Sequence, residues 1–345
     1  MSASFAVVGC FTSPERDARG RGIGVHELGR WEQVSAIETP ANPSFLCADP
    51  SRGLVFAAHG DSEIVSSYRV DPETGAITAL GQAASGGRNG VRLVLHPSGR
   101  FVFVANYATG AVTTVPVAPD GSLSDATSRL ELTGEHGPHR EQEASHPHDV
   151  VMDPTGRYLV VVDKGLDAVF VARPDPETGE LTIVGDARLR AGSGPRHVAF
   201  HPVLPRAYVV SELDSCLTSL DWDPASGRLA PRHVVPALPS DFFAKSTAAE
   251  VVVGPTGGFA YVSHRGADCI ARIALDETGE PTVLDWTPSG GPVPRYMTFS
   301  PHGERLVVAN EQGDTIVEFA VEAGSGALTR LTSVAALSPS AIVFL

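Results

Sequence analysis

Opposite charges stand at the two ends of one short stretch of the chain. Arg196 opens an apolar run at 197–201, a proline-containing turn follows, and Glu212 comes after a second apolar run at 207–210. Runs of this length, rich in β-branched residues and separated by Pro, predict two antiparallel strands joined as a hairpin. The start of one strand then lies beside the end of the other, so Arg196 and Glu212 should emerge at the same rim.

The same register argument applies to the other copies of this hairpin. It places further residues at that rim: His148 with Asp163 or Lys164, Glu250 with Arg265, Arg295 with Glu311, and, from earlier copies, His59, Arg92, Asn106 and Tyr107. They are either ion pairs and caps that hold strands together or a site for a small anion. We favour a site, because converging charges in a partly desolvated channel are costly unless a ligand or a chemical role retains them.

The hairpin is an internal repeat of strand, proline turn and strand. Its six copies lie at 42–60, 90–107, 148–165, 196–213, 249–266 and 295–312. Most are followed by a third strand, a turn resembling DPETG and a fourth strand, and the turn prolines recur every 46 to 57 residues. This period is typical of four-stranded propeller blades.

The two ends of the chain supply the missing strands of one more blade. Residues 5–8, 22–28 and 31–37 have strand character without an inner strand before them, and 338–345 resembles an inner strand with nothing after it. Joining them would close the ring and leave few exposed strand edges. The prediction is an all-β fold, a seven-bladed β-propeller with four antiparallel strands per blade, forming a single domain over 1–345.

Composition narrows the possible partners. The chain carries a net charge of −14 and has no cluster of Lys and Arg of the kind that nucleic-acid binding requires. No apolar run reaches the length of about 18 residues that a membrane helix needs. The four cysteines are far apart in sequence, which is typical of reduced thiols. We therefore expect a cytoplasmic protein, a monomer or weak homodimer, without nucleic-acid or membrane partners.

Motifs for several common chemistries are missing. The sequence has no G-x-S-x-G elbow, no Walker loop and no Rossmann fingerprint. His146 and His148 lack a third ligand at metal-binding spacing. We expect no metal and no cofactor.

Four motifs carry a family resemblance: SHPHDVVMDPTGRYLVVVDKGLD, GPRHVAFHP, STAAEVVVGPTGGFAYVSHRGAD and VPRYMTFSPHGERLVVAN. They resemble the lactonase-type seven-bladed propellers, which include bacterial 6-phosphogluconolactonases and fungal carboxy-cis,cis-muconate cyclases. The resemblance covers nearly the whole chain. In the cyclase branch it implies a catalytic set of one His, two Arg and one Glu, matching His148, Arg196, Arg265 and Glu212 here. Two positions depart from the family, because His264 replaces a usual Asn and Lys164 a usual apolar residue.

The resulting hypothesis is a cofactor-independent lactonase acting on a small, anionic sugar-acid lactone such as 6-phosphogluconolactone. His148 or Glu212 would act as general base, and Arg196 and Arg265 would bind the oxyanion or an anionic substituent. The expected substrate-binding residues are His59, Asn106, Asp163, Lys164, Glu250, His264, Arg295 and Glu311.

Two alternatives stay open at this point. The first is a lactone-forming cycloisomerase or another diverged small-molecule enzyme, and the second is a non-catalytic binding propeller, since the fold alone does not specify chemistry. It also stays open whether the polar insertion at 128–145 forms a lid over the channel.

Overall fold

The computed structural model describes residues 4–345 and contains seven four-stranded antiparallel sheets. The first three strands are β1 (Phe5–Cys10), β2 (Ile23–Glu27) and β3 (Gln33–Ile37), with a 3₁₀ turn at Pro14–Arg16. Blade 1 follows with β4 (Pro43–Asp49), β5 (Leu54–His59), β6 (Ile64–Val70) and β7 (Ile77–Ala84). Blade 2 has β8 (Gly90–Leu95), β9 (Phe101–Asn106), a 3₁₀ turn at Tyr107–Thr109, β10 (Ala111–Pro116) and β11 (Ser128–Glu131).

The next four blades repeat the same order. Blade 3 has β12 (Pro147–Met152), β13 (Leu159–Asp163), β14 (Ala168–Pro174) and β15 (Leu181–Arg188). Blade 4 has β16 (Pro195–Phe200), β17 (Arg206–Ser211), β18 (Cys216–Asp223) and β19 (Arg228–Pro236). Blade 5 has β20 (Thr247–Val253), β21 (Phe259–Arg265), β22 (Cys269–Leu275) and β23 (Pro281–Pro288). Blade 6 has β24 (Pro294–Phe299), β25 (Arg305–Asn310), β26 (Thr315–Val321) and β27 (Leu328–Ala335).

Blade 7 is assembled from both ends of the chain. Its inner strand is β28 (Pro339–Phe344), which pairs with β1 in the order β28-β1-β2-β3. Antiparallel partners such as Val8 and Ile342 join the two strands. The seven inner strands, from β4 through β28, contact one another in a closed ring around a central channel. The predicted seven-bladed propeller with a mixed terminal blade is therefore confirmed. Residues 1–3 of the expected domain lie outside the described part of the chain.

The core lies between adjacent blades. Strand β13 is buried along its whole length, and Val160, Val161 and Val162 are completely inaccessible to solvent. Burial on both faces explains why the second strands are continuously apolar instead of alternating.

A tyrosine hydroxyl joins two pairs of neighbouring blades in the same way. The hydroxyl of Tyr208 in blade 4 donates to the carbonyl of Gly279 in the β22–β23 turn of blade 5. Gly279 has a φ of +82°, and a Cβ there would lie 2.8 Å from that hydroxyl oxygen. Glycine is needed at this turn for both backbone conformation and space. Tyr261 makes the same bond to Gly326 of blade 6.

Candidate active site

A β-bulge turns one residue of several inner strands toward the channel mouth, defined here as the end where the inner strands begin. In β16 the pairing jumps from Pro195–Ser211 to His197–Val210, which leaves Arg196 without a strand partner. The same jump in β12 and β24 isolates His148 and Arg295. Bulges re-aim a side chain in this way and are common beside active sites.

A second set of side chains reaches the mouth from the residues that end or follow the second strands. These are Lys164 after β13, Glu212 after β17, Arg265 at the end of β21 and Glu311 after β25. Together with His148, Arg196 and Arg295 they are called the mouth layer below.

Glu212 is the centre of the mouth layer. Its Oε2 lies 3.0 Å from Nε of Arg196 and 3.2 Å from Nη2 of Arg265, and its Oε1 lies 2.9 Å from Nζ of Lys164. Burial alone would raise the pKa of Glu212, but Arg265, Arg196 and Lys164 outweigh it and hold the pKa well below its usual range. The carboxylate therefore stays ionised and gathers three cations.

Arg196 is the most buried of these cations. It is 1% exposed, and burial together with neighbouring Arg265 lowers its pKa to about 9. Its Nη1 donates to the backbone carbonyl of Ala249 in the next blade, so the guanidinium is fixed from two sides.

His148 is a neutral imidazole at the edge of this cluster. Burial, reinforced by the charge of Arg196, moves its pKa well below the ordinary value. Its Nδ1 is buried without a hydrogen-bond partner, which leaves Nε2 as the nitrogen able to exchange a proton with a bound molecule. Its ring packs edge-on against Tyr107, with centroids 5.7 Å apart.

Part of the 128–145 insertion borders the mouth layer. Residues 128–131 form β11, and Glu141 in the following loop lies 2.8 Å from Nζ of Lys164. The side chain of Gln142 is buried and donates to the carbonyl of Lys164, which anchors the loop there. The insertion thus contributes a carboxylate beside the site.

Arg295 stands slightly apart from the other cations. It approaches Glu311 at 3.4 Å, and its guanidinium carbon lies 5.0 Å from the ring centroid of Phe11. Burial lowers its pKa, while Glu311 opposes that effect. This guanidinium is held less tightly by hydrogen bonds than that of Arg196, so it retains donors for an anion.

One residue further along, four of the inner strands carry a second polar set, called the deep layer. It consists of Arg92, Asp149, His197 and Glu250. Nε of Arg92 lies 2.9 Å from Asp149, its Nη1 lies 3.3 Å from Glu250, and Nδ1 of His197 lies 2.7 Å from Glu250. All four side chains are largely buried.

Aromatic side chains lie at the level of the deep layer. The rings of Phe45 and Tyr296 meet edge to face at 5.5 Å, and the Arg92 guanidinium lies 4.0 Å from the Phe45 centroid. A separate cavity of about 980 Å³ lies beyond Tyr296 and is lined by Phe344 and Leu345 among others. None of the mouth-layer residues lines that cavity.

Four expected substrate-binding residues are not brought into the mouth layer. His59, Asn106 and Asp163 end their strands, whereas His264 stands one residue before the end of β21, and all four are completely buried. His59 bonds to the carbonyl of Ala41 and to Ser66, and Asn106 bonds to Val104 and Thr113. Asp163 accepts hydrogen bonds from Ser145 and from backbone amides.

The prediction that these four side chains reach the rim is wrong, because all four are buried. In blades 3 and 5 the side chain that reaches the mouth belongs to the following residue, Lys164 after Asp163 and Arg265 after His264. Successive strand residues point to opposite faces, so a shift of one position reverses which face a side chain occupies. The remaining candidates, His148, Arg196, Glu212, Arg265, Lys164, Glu250, Arg295 and Glu311, all lie in the mouth or deep layer.

Sequence reasoning did not single out Asp149 and His197. The signal is present, because each is a second polar residue before the apolar part of an inner strand, at the same repeat position as Arg92 and Glu250. Among residues 4–345, no group of three or more His, Cys, Asp or Glu side chains is placed to hold a metal ion. Nor does that part of the chain include a helix long and apolar enough to cross a bilayer.

Fold and site define a propeller whose channel opens into a basic, partly desolvated concavity beside a neutral histidine. The chain belongs to the lactonase family of seven-bladed β-propellers, whose family description matches residues 5–344. The predicted family is thereby confirmed.

Named relatives cover almost the full chain. A 6-phosphogluconolactonase of Bacillus subtilis strain 168 is 31% identical over 343 residues, covering 96% of this chain and 95% of the relative. A 6-phosphogluconolactonase of Pectobacterium carotovorum is 29% identical and covers 90% of both chains. The crystal structure of the periplasmic gluconolactonase PpgL of Pseudomonas aeruginosa superposes with a TM-score of 0.88 at 28% identity, covering 100% of this chain and 99% of that one.

Proposed function

We propose that the protein is a cofactor-independent lactonase that hydrolyses a small sugar-acid lactone, such as 6-phosphogluconolactone, at the channel mouth. The observation that carries the proposal is the convergence of Arg196, Arg265 and Lys164 on Glu212 beside the neutral His148. Cations held in place around a concavity are suited to an anionic substrate and to a developing oxyanion. Relatives named as lactonases over nearly the whole chain support the same reaction.

The general base is His148 in this proposal. Both oxygens of Glu212 are occupied by cations, so neither is free to accept a proton from an attacking water. His148 is neutral and has Nε2 free to receive a proton. Glu212 instead fixes the guanidinium groups of Arg196 and Arg265.

The reaction then proceeds in two proton transfers. Water attacks the lactone carbonyl carbon while its proton passes to Nε2 of His148, and Arg196 or Arg265 stabilises the oxyanion that forms. The carbonyl re-forms as the ring carbon–oxygen bond breaks, and the leaving ring oxygen takes the proton back from His148. The product is the open hydroxy acid. His148 is neutral again, and the arginine no longer faces an oxyanion.

Arg295 supplies the site for an anionic substituent of the substrate. Its guanidinium makes one long contact to Glu311 and lies near, but outside, the cluster around Glu212. Guanidinium groups bind phosphate through paired donors, so a 6-phosphate could be held there while the lactone ring lies near His148.

Hydrolysis of freshly generated 6-phosphogluconolactone tests the proposal, with the spontaneous rate subtracted. Arg196→Ala should lose nearly all catalysis, whereas Arg232→Ala, on the outer strand β19, should match wild type. Failure of the wild-type protein to exceed the spontaneous rate with phosphorylated and unphosphorylated lactones would reject the lactonase proposal. Accumulation of a lactone from an open acid would instead assign a cyclisation.

We also propose a cytoplasmic location. All four cysteines, Cys10, Cys47, Cys216 and Cys269, are unpaired. Free thiols are typical of reducing compartments. Fractionation of cells that express the chain should recover it with cytoplasmic markers, and recovery with periplasmic markers would overturn the assignment.

A further inference from the structure

The deep layer is connected to the mouth layer through Arg196. Nη1 of Arg196 lies 3.1 Å from Nε2 and 3.3 Å from Nδ1 of His197, so the guanidinium rests against the imidazole. The other neighbour of that ring is Glu250, whose Oε1 lies 2.7 Å from Nδ1. The contacts form a continuous chain from Glu212 through Arg196 and His197 to Glu250.

This arrangement requires one protonation state of His197. A protonated imidazole would place a positive charge directly against the guanidinium of Arg196. Burial and the charges of Arg196 and Arg92 move the pKa of His197 well below its ordinary value. The ring is therefore neutral, with the proton on Nδ1 donated to Glu250, and the guanidinium of Arg196 lies against its face.

Glu250 also contacts a residue from the opposite side of the propeller. Arg92 reaches it at 3.3 Å from blade 2, and blades 2 and 5 are not neighbours, so this ion pair spans the channel. Asp149 of blade 3 fixes Arg92 at 2.9 Å and accepts from the backbone amide of Val198. Every carboxylate of the deep layer thus has a cation or an N–H partner.

We propose that His197 and Glu250 are positioning residues that fix the orientation of Arg196 for the reaction at the channel mouth. The inference rests on the proposed function, because it assigns to Arg196 a role in turnover. Neither residue touches the reacting atoms in this scheme. They act by holding the guanidinium where the oxyanion forms, and small displacements of such a group cost rate disproportionately.

The deep layer also makes the positioning sensitive to pH. Glu250 faces Arg92 of blade 2, Asp149 of blade 3, Arg196 and His197 of blade 4, and Tyr296 of blade 6. Burial raises the pKa of Glu250 to about 7, with Asp149 adding to the rise and Arg92 and Arg196 opposing it. Protonation of Glu250 below that pH removes its negative charge, which weakens the ion pair with Arg92 and the hydrogen bond from His197.

Glu250→Gln tests the proposal, because glutamine keeps the size and one acceptor of the side chain but cannot ionise. We expect kcat to fall about tenfold to a hundredfold with a smaller change in KM. Wild-type kcat should decline as the pH falls through about 7. In Glu250→Gln that decline should disappear, and the rate should resemble the acid-limb rate of wild type at every pH.

A matched variant separates positioning from stability. Glu318→Gln changes another buried carboxylate with a single arginine partner, Arg305, at 3.0 Å on the outer part of blade 6. It should alter Tm without changing kcat or the pH profile. Equal Tm losses in both variants, with wild-type kcat and pH profile in Glu250→Gln, would overturn the proposal.

A second measurement uses the wild-type protein and requires neither catalytic activity nor a variant that folds. Nitrogen-15 NMR of histidine-labelled wild-type protein at about pH 8 should show His197 as a neutral ring with its proton on Nδ1. A protonated ring, or one with the proton on Nε2, would contradict the positioning even if lactone hydrolysis is found. If the expected tautomer is found but the protein has no lactonase activity, the proposed reaction is rejected and the contact between His197 and Glu250 stands.

Discussion

The carboxylate of Glu212 lies 3.0 Å from the guanidinium of Arg196, and the two residues stand at opposite ends of the β16–β17 hairpin. Arg265 and Lys164 of the adjacent blades bind the same carboxylate. A single anion therefore holds three blades together at the channel mouth, and its removal would leave three cations facing one another.

Glu212→Gln should lower kcat/KM about a hundredfold, because the guanidinium groups lose the charge that orients them. Steady-state hydrolysis of the lactone measures this change. Glu73→Gln, at an exposed turn, serves as the control and should match wild type. A Glu212→Gln protein with wild-type kinetics would show that the cluster does not take part in turnover.

His148→Gln should lower kcat about a hundredfold or more while leaving Tm nearly unchanged, because the glutamine cannot accept the proton of water. Pre-steady-state and steady-state rates at pH above 7 measure the loss. His302→Gln changes an exposed histidine and should be silent. Retained activity in His148→Gln would return the role of base to another group.

Arg295→Gln should raise KM for a phosphorylated lactone about tenfold or more and leave KM for the unphosphorylated lactone unchanged. A charge-assisted hydrogen bond to phosphate is worth about 1.5 to 3 kcal/mol, which corresponds to that change. Arg100→Gln, half-exposed on blade 2, is the matched control. Equal effects on both lactones would remove Arg295 from phosphate recognition.

Glu250 should also shape the pH dependence of stability. Its pKa of about 7 in the folded protein exceeds that of an unfolded glutamate, so the folded state binds the extra proton between about pH 4 and pH 7. Stability due to this group therefore falls as the pH rises through that range. The free energy of unfolding of wild type relative to Glu250→Gln should drop by up to about 3 kcal/mol from pH 4 to pH 8. Urea titrations at both pH values measure it, and a difference of the opposite sign would contradict the raised pKa.

Gly279→Ala should destabilise the fold by about 1 to 3 kcal/mol, because the added Cβ meets the hydroxyl of Tyr208 at a positive φ. Chemical denaturation measures the loss, and kcat should be unaffected because the turn lies on the outer part of blade 5. Gly324→Ala offers a control, since no atom lies within 4 Å of its Cβ position. Comparable losses at both glycines would show that the interblade contact at Gly279 adds no stability.

The sequence was sufficient to predict the blades and their closure. Each hairpin carries its own turn signals, and residues 338–345 could be joined to 5–8 because an unpaired inner strand needs a partner. The repeat period and the turn residues are local properties of the chain, so a single sequence is enough to predict the blades.

The exact side chains at the channel mouth were harder to predict. A bulge adds one residue to the inner strand, so the simple pairing rule could not decide between Asp163 and its neighbour Lys164. His197 was missed because a histidine at the start of an apolar run resembles a structural core residue. Only the approach of Glu250 from the next blade, a contact between residues 53 positions apart, reveals its role.

The Arg92–Glu250 ion pair crosses the channel below the mouth layer, with the Phe45–Tyr296 contact beside it. A molecule bound at the mouth would have to break this ion pair to leave by the far end, so we expect it to return by the route through which it came. Substrate entry and product release then both take place through the channel mouth. The hydroxy acid should then compete with the lactone for the channel mouth and behave as a competitive inhibitor.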